Sequence, residues 1–400
     1  MQTRKLLGSL LAPALVSAAL AVPATAVAPD GAPSASERST ARTAGKRVNQ
    51  VDVEQRGSGY TVTWAAPGRH KVYASKRPGN PSKSGRLVGT SKWGAVHVKG
   101  LTANKRWYFE VAPVKQVKRA KKKRKDVKGV IASTHHLGLD STSNTRDLGG
   151  FRTVDGKTVK WGVLFRGDAV TAPTARDVKV LKGMRLTRSA DFRADTEIAK
   201  DGANQYDASV KQMAVPLLDD STTALSDAIQ AVIRDGDPAV AEELLGDGKA
   251  EEIAATGPAK MMRRPAVRDS FGRILKVLAK KKGAPLIFNC TAGKDRTGVF
   301  AAVVLRVLGV PEKPLLADYE LSNKYRAAYN DRTYQYLESV GVDADLLRPL
   351  MEQSGANLAN MFRAIEEDYG TFDKFVKKGL GLDKKTVKRL KANLLVSSME

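Results

Sequence analysis

Two kinds of hydrophobic spacing divide this chain. Between Val51 and Val111 apolar residues recur at every second position: Val51 and Val53, then Tyr60, Val62 and Trp64, then Val96 and Val98, then Trp107, Phe109 and Val111. Gly, Pro, Asn and Ser cluster between these runs, which predicts half-buried strands joined by turns. Residues 47–116 are therefore expected to form a small all-β sandwich. Beyond residue 129 the spacing changes. Phe271, Ile274, Leu275 and Leu278 fall on one face of a helix over Pro265 to Lys282, the period of an amphipathic helix. Leu286 to Asn289 is a short apolar run of the kind that fills a buried strand, and Val299 to Leu308 is apolar on nearly every side, as a fully buried helix would be. Residues 221–262 read as two or three short helices broken at Gly236-Asp-Pro238, Gly246-Asp-Gly248 and Gly257-Pro258. Asp155-Gly156 between two β-type runs signals a hairpin. The expected architecture is multidomain: the sandwich, then an α/β domain over 129–400 with a central, mostly parallel sheet flanked by helices.

The first apolar run is of another kind. Leu6 to Val22 follows Arg4 and Lys5, is interrupted by Pro13 and leads through Pro23 to Ala24-Thr-Ala26. That is the layout of a secretory signal peptide over residues 1–28, with removal expected near Ala26 or Ala28. It falls short of the roughly 20 apolar residues a membrane span requires, and no later stretch reaches that length either. Residues 29–46, rich in Ala, Ser, Pro and Thr, read as a flexible linker. The expectation is a secreted or cell-surface protein without a transmembrane span once the signal is removed.

Charge narrows the partners. Lys and Arg number 67 against 42 Asp and Glu, a formal charge of +25, which favours polyanions, anionic lipid or acidic substrates. Export argues against nucleic acid. Lys118-Arg-Ala-Lys-Lys-Lys-Arg-Lys125 lies in a basic linker, residues 117–128, that repels itself and stays solvated, with contact to an anionic surface as its functional reading. A single cysteine, Cys290, permits no intrachain disulfide. His135 and His136 have no Cys or carboxylate at ligand spacing and read as ordinary surface or strand histidines, so no metal and no cofactor is expected.

That lone cysteine closes the strand-like run, and Arg296 follows six positions later, with Thr291, Ala292, Gly293, Lys294 and Asp295 between them and a long apolar helix beginning near Thr297. A tight loop running into a helix N-terminus can hold a phosphoryl dianion on main-chain N–H groups. The same field stabilises a thiolate. Cys290 is thus the candidate nucleophile, Arg296 the candidate fork on two phosphate oxygens, and Asp295 the nearest carboxylic acid for the leaving group. Thr297 is placed to hydrogen-bond the sulfur, and Lys294 adds charge to the rim.

The run Asn289-Cys-Thr-Ala-Gly-Lys-Asp-Arg-Thr-Gly298 resembles the signature loop of the cysteine-based protein tyrosine phosphatases, in particular the bacterial family with Lys-Asp-Arg in that loop. Two further segments resemble the same family in the expected order: Ser143-Asn-Thr-Arg-Asp-Leu-Gly-Gly-Phe151 with Gly162-Val-Leu-Phe-Arg-Gly-Asp168, and Asp191-Phe-Arg193-Ala-Asp195-Thr-Glu197. Asp318-Tyr-Glu-Leu-Ser-Asn323 matches another. The resemblance covers about Gly129 to Leu395. It implies Cys290 as nucleophile, Arg296 as phosphate ligand and an acid inside the loop at Asp295, with Asp219 and Asp220 as rivals for that role. It also implies that residues 221–262 form a helical lid. The family usually has His where this chain has Asn289, which can orient the loop but lends it no positive charge. Arg193 either faces the phosphate entrance or fixes its loop through a buried carboxylate pair. The sandwich resembles a fibronectin type III domain through Trp64 and through Gly100-Leu101 before a late strand, with Trp107 where that family usually has Tyr. The function implied is a secreted phosphatase acting on phosphotyrosine in proteins or peptides, with dual specificity in view. A phosphoinositide phosphatase and a non-catalytic phosphate-binding module are the alternatives.

Overall fold

The computed structural model describes residues 48, 50–102, 105–114, 129–218 and 220–397. The segments expected to be a signal peptide (1–28) and a flexible linker (29–46), the basic stretch (117–128) and Asp219 lie outside the described residues.

Seven strands make up the N-terminal region: β1 Val51–Arg56, β2 Gly59–Trp64, β3 His70–Ser75, β4 Arg86–Ser91, β5 Ala95–Val98, β6 Tyr108–Pro113 and β7 Val130–Ala132. They form two antiparallel sheets, β1-β2-β5 and β4-β3-β6-β7, that share one core including Val62, Trp64, Val72, Val96, Val98, Trp107, Phe109 and Val111. The alternating residues of the sequence thus point inward. One boundary moves. β7 pairs with β6, Val130 opposite Val111 and Ala132 opposite Phe109, so the chain on both sides of the basic stretch belongs to one sheet.

The C-terminal region continues with β8 Arg146–Asp147, β9 Lys157–Val159, β10 Leu164–Gly167, helix α1 Ala175–Met184, β11 Arg188–Asp191, α2 Asp195–Asp201, β12 Lys211–Ala214, α3 Asp220–Asp235, α4 Pro238–Leu245, α5 Lys249–Arg263 and α6 Pro265–Leu278. Then come β13 Leu286–Asn289, α7 Asp295–Leu308, α8 Glu312–Ser339, α9 Gly355–Tyr369, α10 Lys384–Leu394 and β14 Leu395–Ser397. The central sheet has the order β12-β11-β13-β10-β8, parallel except for the β8 edge. Period two splits each strand between two cores. Leu286 and Phe288 join α6, α7 and α9 on one face, while Ile287 and Phe165 join α1 on the other. Behind β13 the rings of Phe192, Phe271, Phe288 and Phe300 pack with centroids 4.7–6.2 Å apart.

Helices α3, α4 and α5 occupy the predicted interval, with breaks at Gly236 and Gly246–Gly248. The third expected break is absent: α5 runs through Gly257-Pro258. Proline deletes one helical donor and crowds the preceding turn, but Pro258 is buried and packing carries the helix past it. The Asp155-Gly156 turn is present, with Arg152 bridged to Thr158.

The two regions are joined by buried contacts. Arg106 of the N-terminal sheets pairs with Asp147 of β8 at 2.8 Å, both side chains nearly inaccessible, and donates to the Thr134 carbonyl. Trp161, from the C-terminal region, completes the N-terminal core.

Candidate active site

Gly167, Asp191 and Asn289 stand level across three parallel strands, so the segments that follow them, Asp168, Phe192-Arg193 and Cys290, emerge side by side. Such an edge, at the carboxyl ends of parallel strands, is where α/β sheets gather ligands. Cys290 is buried, 2% exposed. The chain then turns through Thr291–Lys294 into α7, whose N-terminus has no side-chain cap, leaving its first N–H groups available.

The carbonyls of this turn all face outward and are held. Thr291 O accepts from Ala169 N at 3.2 Å, Ala292 O from Asn144 Nδ2 at 3.1 Å, and Gly293 O and Lys294 O from Arg166 Nη2 at 2.8 and 3.2 Å. Among the described residues no acceptor meets the N–H groups of Thr291, Ala292, Gly293 and Lys294. With carbonyls fixed outside, the amides and the positive end of α7 converge inside, an arrangement built for an anion. Gly293 makes the turn possible. Its φ is +66°, and a Cβ there would lie 2.3 Å from the Gly167 carbonyl carbon.

Arg166 is held in turn by Asp318. The Asp318 carboxylate bridges two fully buried guanidiniums, Arg166 Nη1 at 2.6 Å and Arg146 Nε at 2.9 Å, while Arg146 also donates to Asn144, the residue that ties Ala292. Burial opposes the charge on Asp318, but the two arginines outweigh it and hold its carboxyl down at about 2. Burial beside Arg146 lowers Arg166 to about 10, which leaves it charged at neutral pH. Asp168 accepts from the Ser143 and Asn144 N–H groups and from the Thr145 hydroxyl, closing the support beneath the loop.

Arg296 is positioned by Glu197. Its Nη1 and Nη2 each meet a Glu197 oxygen at 2.6 Å, and Nη1 also donates to Phe192 O at 3.2 Å. Glu197 takes the end of the fork and leaves the Nε edge for an anion. The same carboxylate accepts from Thr291 Oγ1 at 2.9 Å and from Ala194 N at 2.9 Å. Burial would raise the Glu197 carboxyl, and these partners, Arg296 first, hold it below its usual range.

The remaining expected residues fall as follows. Asp295 opens to solvent on α7 and accepts from Gln353 Nε2 at 2.7 Å and Lys294 Nζ at 3.1 Å. Crowding by the surrounding protein favours its neutral form, but Lys294, Gln353 and Arg296 prevail and hold the carboxyl below the ordinary value. Lys294 is not free on the rim: its ammonium is spent on Asp295 and on the Leu350 carbonyl. Thr297 Oγ1 is buried with no hydrogen-bond partner among the described residues, so the bond to sulfur is not formed. Arg193 is not at the phosphate entrance. Its fork lies on Asp191, with Nη2 at 2.8 Å and Nε at 3.1 Å, because a strand end places that carboxylate two residues back, and the pair fixes the loop. Asn289 belongs to the same network, donating to Asp191 at 3.1 Å and accepting from Asn204 at 3.2 Å; the amide orients the strand end by hydrogen bonds alone. His135 and His136 are half-buried and bonded to the carbonyls of Asp147 and Ser143. Of Asp220 only the main chain, at the start of α3, is described.

Glu197, Asp318 and Gln353 had no assigned role in the sequence. Glu197 and Asp318 lie in recognisable segments, but only the fold reveals that they face Arg296 and Arg166; Gln353 carried no signal.

A model of the tyrosine phosphatase family matches residues 137–396. A Cupriavidus necator protein named as a tyrosine-protein phosphatase is 29% identical over 253 residues, covering 63% of this chain and 87% of that protein. The triple specificity protein phosphatase PtpB of Mycobacterium tuberculosis is 24% identical over 278 residues, covering 64% of this chain and 98% of that one. The crystal structure of TpbA from P. aeruginosa, 19% identical over 50% of this chain and 96% of its own, superposes with a TM-score of 0.21, too slight a likeness to carry an argument.

Proposed function

The chain belongs to the tyrosine phosphatase family and is a protein-tyrosine phosphatase, and from that premise we propose an exported enzyme that hydrolyses phosphotyrosine in proteins and peptides through a cysteinyl phosphate on Cys290. The sulfur attacks phosphorus, the ester P–O bond breaks as the S–P bond forms, and the leaving oxygen takes the proton of Asp295. Water then attacks the cysteinyl phosphate and gives a proton to Asp295; the S–P bond breaks and inorganic phosphate leaves. The loop amides and Arg296 hold the phosphoryl oxygens in both steps.

One observation carries this reading: four successive loop carbonyls are tied outward while an arginine, clamped by Glu197, stands beside the only cysteine. Activity on phosphoserine and phosphothreonine belongs to the proposal; a relative named as a triple specificity protein phosphatase supports a range wider than one substrate class. Phosphoinositides take second place, since the Lys294 ammonium that would suit a further phosphate is engaged by Asp295 and Leu350. Export rests on the signal-like residues 1–28. Helices α3 to α5 act as a lid, a role supported by α3, whose only buried side chain among those described is Val232. The N-terminal sheets act as a fibronectin type III-like spacer or binding arm. Comparing kcat/KM on phosphotyrosyl peptides, phosphoseryl peptides and phosphoinositide micelles tests the substrate class. Phosphotyrosyl peptides are expected to be the best substrates, and a preference for the micelles would overturn the assignment.

A further inference from the structure

Away from the catalytic edge, helices α6 and α10 enclose a concavity of about 600 Å³. Its lining is Lys276, Ala279, Lys280, Lys281, Thr386, Arg389 and Asn393, four cations with a hydroxyl and an amide and no carboxylate. Helical spacing explains how the two faces meet. Lys276 lies on the last turn of α6, with Lys280 and Lys281 in the turn just past its end, and Thr386, Arg389 and Asn393 follow at three and four along α10. The cavity wall is tied together, since Asn393 Nδ2 donates to the carbonyls of Leu278 and Lys280 at 3.0 and 3.1 Å. Leu390 and Leu394 anchor α10 in the main core.

The lining supplies no counter-charge of its own. Elsewhere on the surface Arg263 meets Asp368, Arg348 meets Asp345 and Glu352, and Arg306 meets Glu366. Among the described residues no carboxylate pairs with Lys276, Lys280, Lys281 or Arg389. Asp383, the residue that caps α10, accepts from Thr386 N, and its carboxylate also feels the charge of Arg389 without forming an ion pair with it. Like charges gathered in one concavity repel, and an anion of matching charge relieves that repulsion.

We propose that this concavity is a binding site for a compact anion carrying several adjacent phosphate groups, separate from the catalytic loop. A single phosphate would leave most of the four cations unmatched, whereas three or more neighbouring phosphoryl charges engage all of them, with Thr386 as a further donor. The site lies where α6 runs toward the start of β13, and the catalytic loop follows the end of that strand, ~13 Å further along. The anion and a phosphorylated substrate therefore bind at opposite edges of the sheet and do not compete. The source is either a soluble oligophosphate or a polyphosphorylated lipid headgroup.

The test uses the full chain with vanadate in the catalytic site. Tripolyphosphate binding is measured by calorimetry and thermal shift on the wild type, on K280A/R389A, and on K179A/K182A as a control of equal charge change on α1, which packs on the opposite face of the sheet. The first variant is expected to lose about tenfold or more in affinity, with kcat/KM on a small aryl phosphate unchanged, and the control to bind like the wild type. Binding should also weaken as ionic strength rises from about 0.01 to 1 M, where the screening length shrinks from roughly 30 to 3 Å. Vesicles with phosphoinositide headgroups, set against phosphatidylserine vesicles of equal charge, identify a lipid source if only the former retain the protein through Lys280 and Arg389. Undiminished binding in K280A/R389A, an equal loss in the control, or binding of neither ligand by the wild type would overturn the proposal.

Discussion

Replacing Asp318 by Asn tests whether the catalytic turn is shaped from beneath. Asp318 lies 2.6 Å from Arg166 and 2.9 Å from Arg146, in a site where both guanidiniums are fully buried. Removing one partner of a buried ion pair costs about 3–5 kcal/mol, because the remaining charge is left unmatched. At about 2–4 °C per kcal/mol for a domain of this size, the variant should melt roughly 6–20 °C lower. The pH dependence gives a second reading. The native carboxyl sits at about 2 against an ordinary 3.8, a difference worth about 2–3 kcal/mol. A depressed native value means this stability is fully present above about pH 4 and is lost as pH falls toward 2. The gap between wild type and D318N should therefore be constant near neutrality and close below pH 4. Because Arg166 holds the Gly293 and Lys294 carbonyls, kcat should fall about ten- to a hundredfold, less than the ~10²–10³ seen when a preorganised donor is removed outright. Melting curves and steady-state rates on an aryl phosphate suffice. A variant that melts with the wild type and turns over at its rate would refute the idea that Asp318 supports the loop.

Glu197→Gln keeps the shape but weakens two charge-assisted bonds to Arg296; at about 1.5–3 kcal/mol for hydrogen bonds to charged groups, kcat/KM should drop about 10- to 100-fold and the melting temperature should fall by about 3–12 °C. Gly293→Ala meets both a left-handed backbone and the main chain of Gly167 and Asp168; activity should collapse by at least about tenfold, whereas a wild-type rate would show that the turn adapts. Asp295→Asn should scarcely affect an ester with a good leaving group and slow one with a poor leaving group by about 10²–10⁴. Since Asp295 is held below the usual carboxylate range, its acid form declines as pH rises through that lowered value, and the basic limb of kcat should lie on the acid side and vanish in the variant. If Asp219→Asn or Asp220→Asn removes that limb instead, the acid is misassigned.

The legible parts of the chain were those whose signal is local. Period two gave β1, β2, β5 and β6 but not β3 or β4, the short run before Cys290 gave β13, and the five residues between Cys290 and Arg296 gave the cradle. The strand β7 escaped because three residues behind a long basic run carry no periodicity, and its partner β6 lies on the far side of that run. Partners distant in sequence were hidden as well. Glu197 is 99 residues from Arg296 and Asp318 is 152 from Arg166, and no pattern within one segment states such a pairing. Arg193 was ambiguous for the opposite reason: both of its readings were local, and only the direction of the strand end, which aims Asp191 at it, decides between them. Lys294 looked like free charge because its acceptor, Leu350 O, is main chain.

The central claim is that a single sulfur carries the phosphoryl group. Rapid quenching during turnover of a labelled aryl phosphate, followed by peptide mapping, locates the covalent intermediate. The label is expected on the peptide containing Cys290 and nowhere else, and Cys290→Ser should abolish turnover while still binding vanadate. Label on another residue, or a serine variant that works at the wild-type rate, would contradict the account.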